Sequence, residues 1–341
     1  MTTATTYKAW ELKSFSLQDV AATAREESRL EPHQVRIAVK AVSLNFRDLL
    51  VARGHYNPKL PLPVVPLSDG AGEVVAVGDL VSKFKKGDRV MPNFMPDWIA
   101  GEVSPDAAKT ALGGFVDGML REQATFNESA LVHIPPHLSY EEAATLPCAA
   151  LTAWSALMVN GALKPGETVL TMGSGGVSIF ALQLAKAAGA RVIATSGANE
   201  KLKRLKELGA DTLINYKEHP NWDELVLEAT GGSGVDHVVE VGGAGTLERS
   251  MKAARMNGHV SVIGVLDGIS GSLNAIALIM KSLRLQGVFV GSRSRFEDMN
   301  KAINLHGIKP VVGKVFAADE ITEALSYMAS GQHFGKIVLK L

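Results

Sequence analysis

The chain has 341 residues, with 35 lysines and arginines, 35 aspartates and glutamates and a single cysteine. A chain of this length is too long to fold around one modest hydrophobic core, which predicts two domains. The formal net charge of zero gives no electrostatic reason to expect nucleic acid or an anionic membrane, so the expected partner is a small molecule, and the lone cysteine excludes an intrachain disulfide and a four-cysteine zinc cluster. The N-terminus lacks the apolar core of a signal peptide and no stretch reaches the roughly 18 apolar residues of a membrane span, so we expect a soluble protein of a reducing compartment, the cytoplasm.

The N-terminal part of the chain, residues 1–135, reads as β-rich. Short runs that favour strands end at glycine or proline turns; they are 35–42, 72–77, 120–126 and 130–134. Between 91 and 118 the sequence is rich in Pro, Gly and Asp and has little periodicity, so we expect a long surface excursion there. Ser139, followed by Tyr-Glu-Glu, supplies an N-cap with acids in the first turn and predicts the start of a helix.

The most informative stretch runs from 167 to 195. A β-rich run is followed at once by glycines, then by apolar residues at helical spacing and by a second strand at 191–195. A glycine turn between strand and helix lets backbone N–H groups approach a pyrophosphate, which then faces the positive end of the helix dipole. The third glycine of the usual fingerprint is Ser178 here, and the alternative is an ordinary turn whose glycines serve close packing. We predict a dinucleotide site at Gly173, Ser174, Gly175, Gly176 and Val177.

Strands and helices of about ten residues alternate after this turn. The predicted strands are 212–215, 235–241, 259–265 and 283–290, and the predicted helices are 201–208, 222–230 and 246–254. This alternation predicts an α/β fold, a Rossmann-type doubly wound parallel sheet with right-handed crossovers. After Gly291 a helix, a strand near 311–316, a second helix and a final run at 335–341 close the chain, and these elements can return to the first domain.

Blocks of sequence along essentially the whole chain occur in the order of a known family: Leu44-Asn-Phe-Arg-Asp48, Arg53-Gly-His-Tyr56, the runs 72–78, 86–90, 146–149 and 151–154, the glycine turn, and His333-Phe-Gly-Lys336. In this order they resemble the medium-chain dehydrogenase/reductases, and among them the zinc-free quinone oxidoreductase-like members. The resemblance implies a β-rich GroES-like catalytic domain at 1–135 and 296–341. It also implies an NAD(P)-binding Rossmann domain at 136–295, with the active site in the cleft between the two domains.

Zinc is where the chain departs from the alcohol dehydrogenases that it resembles. Their catalytic zinc is held by a cysteine, a histidine and a second cysteine, and the matching positions are Asn45, Ser68 and Cys148. The excursion at 91–118 has no cysteine for the family's structural zinc site either. The resemblance therefore implies an enzyme without zinc, in which Cys148 is a buried small hydrophobe.

Without a metal, hydrogen-bond donors must polarise the substrate oxygen. Asn45 and Tyr56 match positions that line the nicotinamide site in quinone oxidoreductases, and an amide and a phenol can both donate to an oxygen that gains negative charge. Alternatively, Asn45 orders its loop and Tyr56 packs on the turn at 58–61. Arg47 and Asp48 are expected to form a structural ion pair.

The end of the second strand decides between NAD and NADP. An NAD enzyme places an acid there for the ribose 2′-hydroxyl, whereas this strand runs into Thr195-Ser-Gly-Ala-Asn199. Lys201 and Tyr216 resemble the pair that quinone oxidoreductases place on the 2′-phosphate, with Ser196 as a third contact, so we expect NADPH. Glu200 argues against a phosphate, and Lys203 reads as a solvated helix face.

Three further candidates lie near the C-terminus. Arg293, after the strand at 283–290, and Lys336 are candidate contacts of the cofactor phosphates or the substrate, although a surface position is the commoner place for either residue type. The strand at 283–290 would be an exposed edge, and in the resembling family it pairs with its copy in a second subunit, which implies a homodimer.

The resulting prediction is a zinc-independent, NADPH-dependent oxidoreductase that transfers hydride to an activated C=C bond or a quinone. Two alternatives stay open. One is a metal-free alcohol or carbonyl oxidoreductase, and the other is a non-catalytic NADPH-binding protein.

Overall fold

The computed structural model describes residues 5–341, and all element bounds refer to that part of the chain. The strands are β1 (Thr6–Leu12), β2 (Val20–Glu26), β3 (Gln34–Ser43), β4 (Asp69–Val77), β5 (Arg89–Pro92), β6 (Gln123–Asn127), β7 (Leu131–His133), β8 (Thr168–Met172), β9 (Arg191–Ser196), β10 (Thr212–Asn215), β11 (Val235–Glu240), β12 (Ala254–Val262), β13 (Arg284–Gly287), β14 (Val312–Ala317) and β15 (Lys336–Lys340). The helices are α1 (Phe46–Ala52), α2 (Pro105–Ala108), α3 (Tyr140–Ala143), α4 (Leu151–Trp154), α5 (Gly176–Ala187), α6 (Asn199–Glu207), α7 (Trp222–Ala229), α8 (Leu247–Ala253), α9 (Ala275–Met280), α10 (Arg293–His306) and α11 (Ile321–Ala329). Short 3₁₀ or π turns lie at Glu128–Ala130, Leu146–Ala150, Ser155–Asn160 and Ala318–Glu320.

Packing divides the chain into two units. The first comprises the described residues up to Leu151 together with Gly291–Leu341, and the second is Thr152–Val290. The domain limits that the sequence suggests, at 135 and 295, stay a prediction.

The first unit is built on a seven-stranded sheet in the order β14-β15-β3-β4-β5-β7, with β6 also paired to β3. β14 and β15 are parallel to each other, and the C-terminal strand β15 runs antiparallel to β3, with Val338 opposite Ser43. Side chains of β3 alternate between buried and partly exposed along its first half, as expected for a strand with one face on the core. α11 covers this core with Ile321, Ala324, Leu325 and Met328, a helical stripe.

The segment at 91–118 is a surface excursion only in part, since residues 100–106 are exposed and the positions on either side are largely buried. Phe94, Met95, Trp98 and Leu112 are buried, and apart from α2 the backbone is mostly irregular. Buried irregular backbone needs polar partners, and the Asn93 side chain supplies one by donating to the Met95 carbonyl at 2.9 Å. The proline and glycine content therefore marks irregular backbone, and burial is decided by the interspersed aromatic and aliphatic residues.

The second unit contains a six-stranded sheet in the order β10-β9-β8-β11-β12-β13. Every neighbouring pair in it is parallel, and the chain order reverses at β8, which is the strand order of a Rossmann fold. This confirms the predicted α/β fold class. The helix start predicted at Ser139, which lies in the first unit, is also present, because the Ser139 hydroxyl accepts from the Glu142 N–H and the Glu142 carboxylate accepts from the Ser139 N–H.

β13 forms one edge of the parallel sheet and is shorter than the predicted 283–290. The chain leaves the strand early, and Val290 has a φ of 55°, a left-handed conformation that does not continue a strand. Within residues 5–341, no helix combines the length and apolar character that crossing a bilayer needs.

Candidate functional site

The glycine turn joins β8 to α5 in the second unit. Gly173 has a φ of 76°, which favours glycine, and its N–H donates to the Thr195 carbonyl at 2.9 Å, which ties the turn to β9. Gly175 is the N-cap residue of α5. A Cβ placed on Gly173 or Gly175 would meet no atom within 4 Å, so open space lies against the turn where a phosphate group can approach the helix N-terminus.

Ser178 explains the departure from the three-glycine pattern. Its side chain is buried and its hydroxyl donates to the Met172 carbonyl at 2.6 Å. The first turn of α5 is therefore fastened to the last residue of β8. The usual glycine at this position lets the helix and strand pack closely. Ser178 instead joins them through the hydrogen bond of its hydroxyl.

The predicted 2′-phosphate residues gather at the end of β9. Tyr216 packs over Gly197, since a Cβ there would lie 2.8 Å from the Tyr216 Oη and 3.0 Å from the Lys217 Cε. Lys201 lies in the first turn of α6. The pKa of Lys201 is lowered by burial and then by Lys217 and Arg204, so three cationic side chains are close to one another. Ser196 ends β9 and accepts the Tyr216 N–H through its carbonyl at 3.2 Å.

Two acids lie nearby, and both have partners. Glu200 pairs with Lys203 at 2.8 Å on the exposed side of α6. The Glu218 carboxylate accepts from the side chains of Asn199 at 2.7 Å and Asn215 at 2.9 Å. The structure therefore gives Lys203 the solvated role expected of it.

A buried chain of hydrogen bonds surrounds Asn45 in the first unit. The Lys336 ammonium donates to the Asn45 Oδ1 at 2.6 Å and to the Leu44 carbonyl. The Asn45 Nδ2 lies 3.2 Å from the Ser68 Oγ, which donates to the Asp69 carboxylate at 2.8 Å. The other Asp69 oxygen accepts the Cys148 N–H at 3.0 Å. β15 places Lys336 here, because the Leu44 N–H donates to the carbonyl of its neighbour Ile337 at 3.0 Å.

The buried acidic side chains of this region lie near basic side chains. Asp48 and Asp69 are both buried. Burial raises the pKa of Asp48 to about 6, with Arg47 as the main opposing charge, and burial raises the pKa of Asp69 against the opposing charge of Lys336. Desolvation and the Asp69 carboxylate together raise the pKa of the Cys148 thiol. Each buried carboxyl group thus has a cation near it, as a buried ionisable group requires.

The side chains present here do not fit a zinc ion. Zinc takes thiolate, imidazole or carboxylate ligands, whereas Asn45 offers an amide and Ser68 a hydroxyl, each already held in the hydrogen-bonded chain. Among the described residues, no group of three or more His, Cys, Asp and Glu side chains could hold a metal ion.

Tyr56 and Arg47 form a second part of this region. The Arg47 guanidinium carbon lies 4.8 Å from the Tyr56 ring centroid and 5.0 Å from that of Phe94, within cation–π distance. Arg47 donates to the Leu112 carbonyl at 2.7 Å and lies 3.8 Å from Asp48. Arg47 therefore pairs with Asp48, as expected, and holds the Tyr56 ring.

Two residues that sequence reasoning grouped with the cofactor belong to the first unit. Arg293 begins α10, where its N–H donates to the Trp98 carbonyl at 2.9 Å and its Nε lies 3.7 Å from Glu297. Lys336 joins the Asn45 chain. A cofactor role for either stays a prediction. Sequence reasoning missed Lys217 and Asp69, although Lys217 follows Tyr216 directly and Asp69 follows the metal-ligand position Ser68.

Comparisons with known proteins match two family models to this chain. The family model of the alcohol dehydrogenase GroES-like domain matches residues 31–136, and that of the zinc-binding dehydrogenases matches 176–305. A zinc-type alcohol dehydrogenase-like protein of Schizosaccharomyces pombe is 46% identical over 319 residues, covering 92% of each chain. The human quinone oxidoreductase is 30% identical over 317 residues, covering 91% of this chain and 89% of its own.

A solved structure is similar over the full length of both chains. It is assigned as an alcohol dehydrogenase from Sinorhizobium meliloti 1021, with 40% identity and a TM-score of 0.93, and covers 100% of this chain and of its own.

Proposed function

Because this chain belongs to the medium-chain dehydrogenase/reductases, we propose that it is a zinc-independent, NADPH-dependent oxidoreductase that transfers a hydride to an activated C=C bond or a quinone. The observation that carries the proposal is the buried chain from Lys336 through Asn45 and Ser68 to Asp69. In this chain of hydrogen bonds, Asn45 and Ser68 occupy ligand positions of the family's catalytic zinc and act as hydrogen-bond donors and acceptors.

The cofactor is held by the second unit in this proposal. The turn at Gly173–Val177 and the start of α5 bind the pyrophosphate through backbone N–H groups. Lys201, Tyr216 and Lys217 bind the 2′-phosphate, which Lys201 and Lys217 meet as charge-assisted donors. When bound, the dinucleotide supplies the hydride.

The substrate oxygen is polarised by side chains of the first unit. When hydride reaches the β-carbon of an enone, or a quinone ring, negative charge develops on oxygen. Asn45 and Tyr56 donate hydrogen bonds to that oxygen, and the Tyr56 phenol holds a proton that it can deliver. Donors fixed before the reaction stabilise this charge without reorganising.

A second candidate function is a metal-free alcohol or carbonyl oxidoreductase. The names of the yeast relative and of the Sinorhizobium structure favour it. The same donors would then polarise a C=O group directly. A non-catalytic NADPH-binding protein is the third candidate.

We also propose that the protein is a homodimer. β13 is a sheet edge, and beside it in sequence α9 exposes Ile276 and Ile279 to 71% each. Apolar side chains this exposed next to an edge strand fit a surface that a second copy covers.

One assay separates the three candidates. Steady-state oxidation of NADPH is followed with a panel of enones, quinones and aldehydes, and oxidation of the matching alcohols is followed with NADP⁺. We expect turnover with enones or quinones. Turnover confined to alcohols and aldehydes would support the second candidate, and NADPH binding without turnover the third.

The same preparation tests the absence of zinc. We expect elemental analysis to find no stoichiometric zinc and chelators to leave the rate unchanged, because Asn45 and Ser68 offer neither thiolate nor imidazole. One zinc per chain would contradict the proposal.

A further inference from the structure

We propose that Lys336 is a positioning residue that fixes which way the Asn45 amide faces, and so determines that the site presents an amide N–H to the substrate oxygen. This inference rests on the proposed function for its catalytic consequence. The orientation itself can be tested without any reaction.

The hydrogen-bonded chain has only one possible direction. An ammonium can only donate and an ionised carboxylate can only accept, and Lys336 and Asp69 stand at its two ends. Because Lys336 donates to Asn45, the amide oxygen must face the ammonium and the amide nitrogen must face Ser68. The Ser68 hydroxyl is then left to donate to Asp69.

Reversing the amide would be costly. Its NH₂ group would then point at the Lys336 ammonium, 2.6 Å from the atom now at the Oδ1 position, so that two donors would meet in a buried place. Lys336 is 4% exposed and Asn45 8%, so water cannot readily supply the missing acceptor. A reversed amide would also offer a carbonyl oxygen where negative charge develops in the proposed reaction.

Lys336 has a second effect through its charge. Its ammonium lowers the pKa of the Asp69 and Asp48 carboxyl groups, against the rise that burial causes. The Asp69 carboxylate in turn accepts from Ser68 and from the Cys148 N–H. The ammonium therefore maintains the acceptor end of the chain as well as the donor end.

The test uses Lys336→Met, which keeps the stem of the side chain and removes its donors and charge. The matched control is Lys340→Met on the same strand, whose side chain is 67% exposed. If Lys336→Met does not fold, as judged by thermal melting, Lys336→Met/Asp69→Asn removes both charges and takes its place.

The direct readout is the side-chain amide signal of Asn45 in protein labelled with [¹⁵N]asparagine, identified by its loss in Asn45→Ala. We expect this signal to shift and its protons to exchange faster in Lys336→Met, and to stay unchanged in Lys340→Met. An Asn45 signal that Lys336→Met leaves in place would overturn the inference, whatever reaction the protein catalyses.

The kinetic readout is a double-mutant cycle with the enone or quinone substrate. We expect Lys336→Met to lower kcat about tenfold to a hundredfold, with NADPH affinity within about twofold of the parent, and to cost nothing further when Asn45 is already alanine. Losses that multiply in the double variant, or a selective loss of NADPH affinity, would show that Lys336 acts independently of Asn45. Wild-type turnover by Asn45→Ala would instead contradict the proposed function and leave the amide signal as the test of orientation.

Discussion

The proposed preference for NADPH rests on individual side chains near the end of β9. Burial lowers the pKa of Lys201, and Lys217 and Arg204 are close enough to lower it further. Grouped cations are favoured when an anion lies among them. Tyr216 and Lys217 close over Gly197. In the proposed function this group of cations binds the 2′-phosphate of NADPH.

Replacing Lys201 by alanine should therefore weaken NADPH and leave NADH nearly unchanged, because only NADPH has the 2′-phosphate. A charge-assisted contact contributes about 1.5 to 3 kcal/mol, which corresponds to a loss of affinity of about ten- to a hundredfold. Fluorescence titration of both cofactors measures the ratio. Lys203→Ala is the control, since Lys203 is exposed and paired with Glu200. An equal loss for both cofactors would show that Lys201 is structural.

Tyr56 allows an equally local test of catalysis. Tyr56→Phe keeps the ring that packs against Arg47 and removes only the phenol hydroxyl. If that hydroxyl donates to the developing anion, kcat should fall by about tenfold or more, and it should fall more than KM rises. The loss should be smaller than for a sole oxyanion donor, because Asn45 also donates to the same oxygen in the proposed function. Thermal melting should be unchanged. Wild-type turnover by Tyr56→Phe would make Tyr56 only a wall of the pocket.

Two histidines lie next to each other on neighbouring strands of the second unit's sheet. His237 on β11 and His259 on β12 are register partners, with ring centroids 6.1 Å apart. His237 pairs with Glu167 at 2.9 Å, and the His259 Nε2 lies 3.1 Å from the Ser261 hydroxyl. Burial, followed by the charges of Arg284 and His237, lowers the pKa of His259 to about 4.

This strand pair predicts an acid-sensitive second unit. The pKa of His259 is lower in the folded state than its ordinary value of 6.5, so between pH 6.5 and 4 the unfolded chain binds more protons and stability falls as pH falls. The loss should reach about 3 kcal/mol. We expect the free energy of unfolding, measured in urea from pH 7 to 4.5, to decline less steeply in His259→Gln than in the parent. His219 is exposed and serves as the control, so His219→Gln should decline as steeply as the parent. Parallel declines in all three proteins would contradict this account.

The whole molecule is expected to assemble through the edge of its parallel sheet. α9 has no buried residue, and Ile276, Ile279 and Met280 are each about 70% exposed. Ala277 and Leu278 of the same helix pack partly buried against the core of the second unit, which stabilises the helix, while its other apolar side chains remain exposed. These exposed side chains are explained if a second chain covers them.

Ile276→Lys/Ile279→Lys should convert a dimer into a monomer, because two charges would be buried without partners in the assembled state. Light scattering coupled to size-exclusion chromatography measures the mass. Leu305→Lys is the control: Leu305 is 80% exposed on α10, in the other unit, and its replacement should leave the dimer intact. A parent protein that is monomeric at micromolar concentration would contradict the proposed interface.

The sequence alone determined the features that depend on contiguous residues. Periodicity predicted the alternating strands and helices, and the glycines between a strand pattern and a helix pattern predicted the turn at Gly173. The departure from zinc-ligand chemistry follows directly from the identities of Asn45 and Ser68. Each of these features is local, and local patterns encode backbone conformation and side-chain chemistry without knowledge of what packs against them.

Only the tertiary structure decided which distant residues meet. Lys336 lies 291 positions from Asn45, and the register of β15 on β3 brings them together. The same holds for the burial of Phe94 and Trp98, in a segment whose composition predicted a surface excursion, and for the approach of Lys217 to Lys201. Strand pairing and core packing are long-range, so no pattern within one segment determines them.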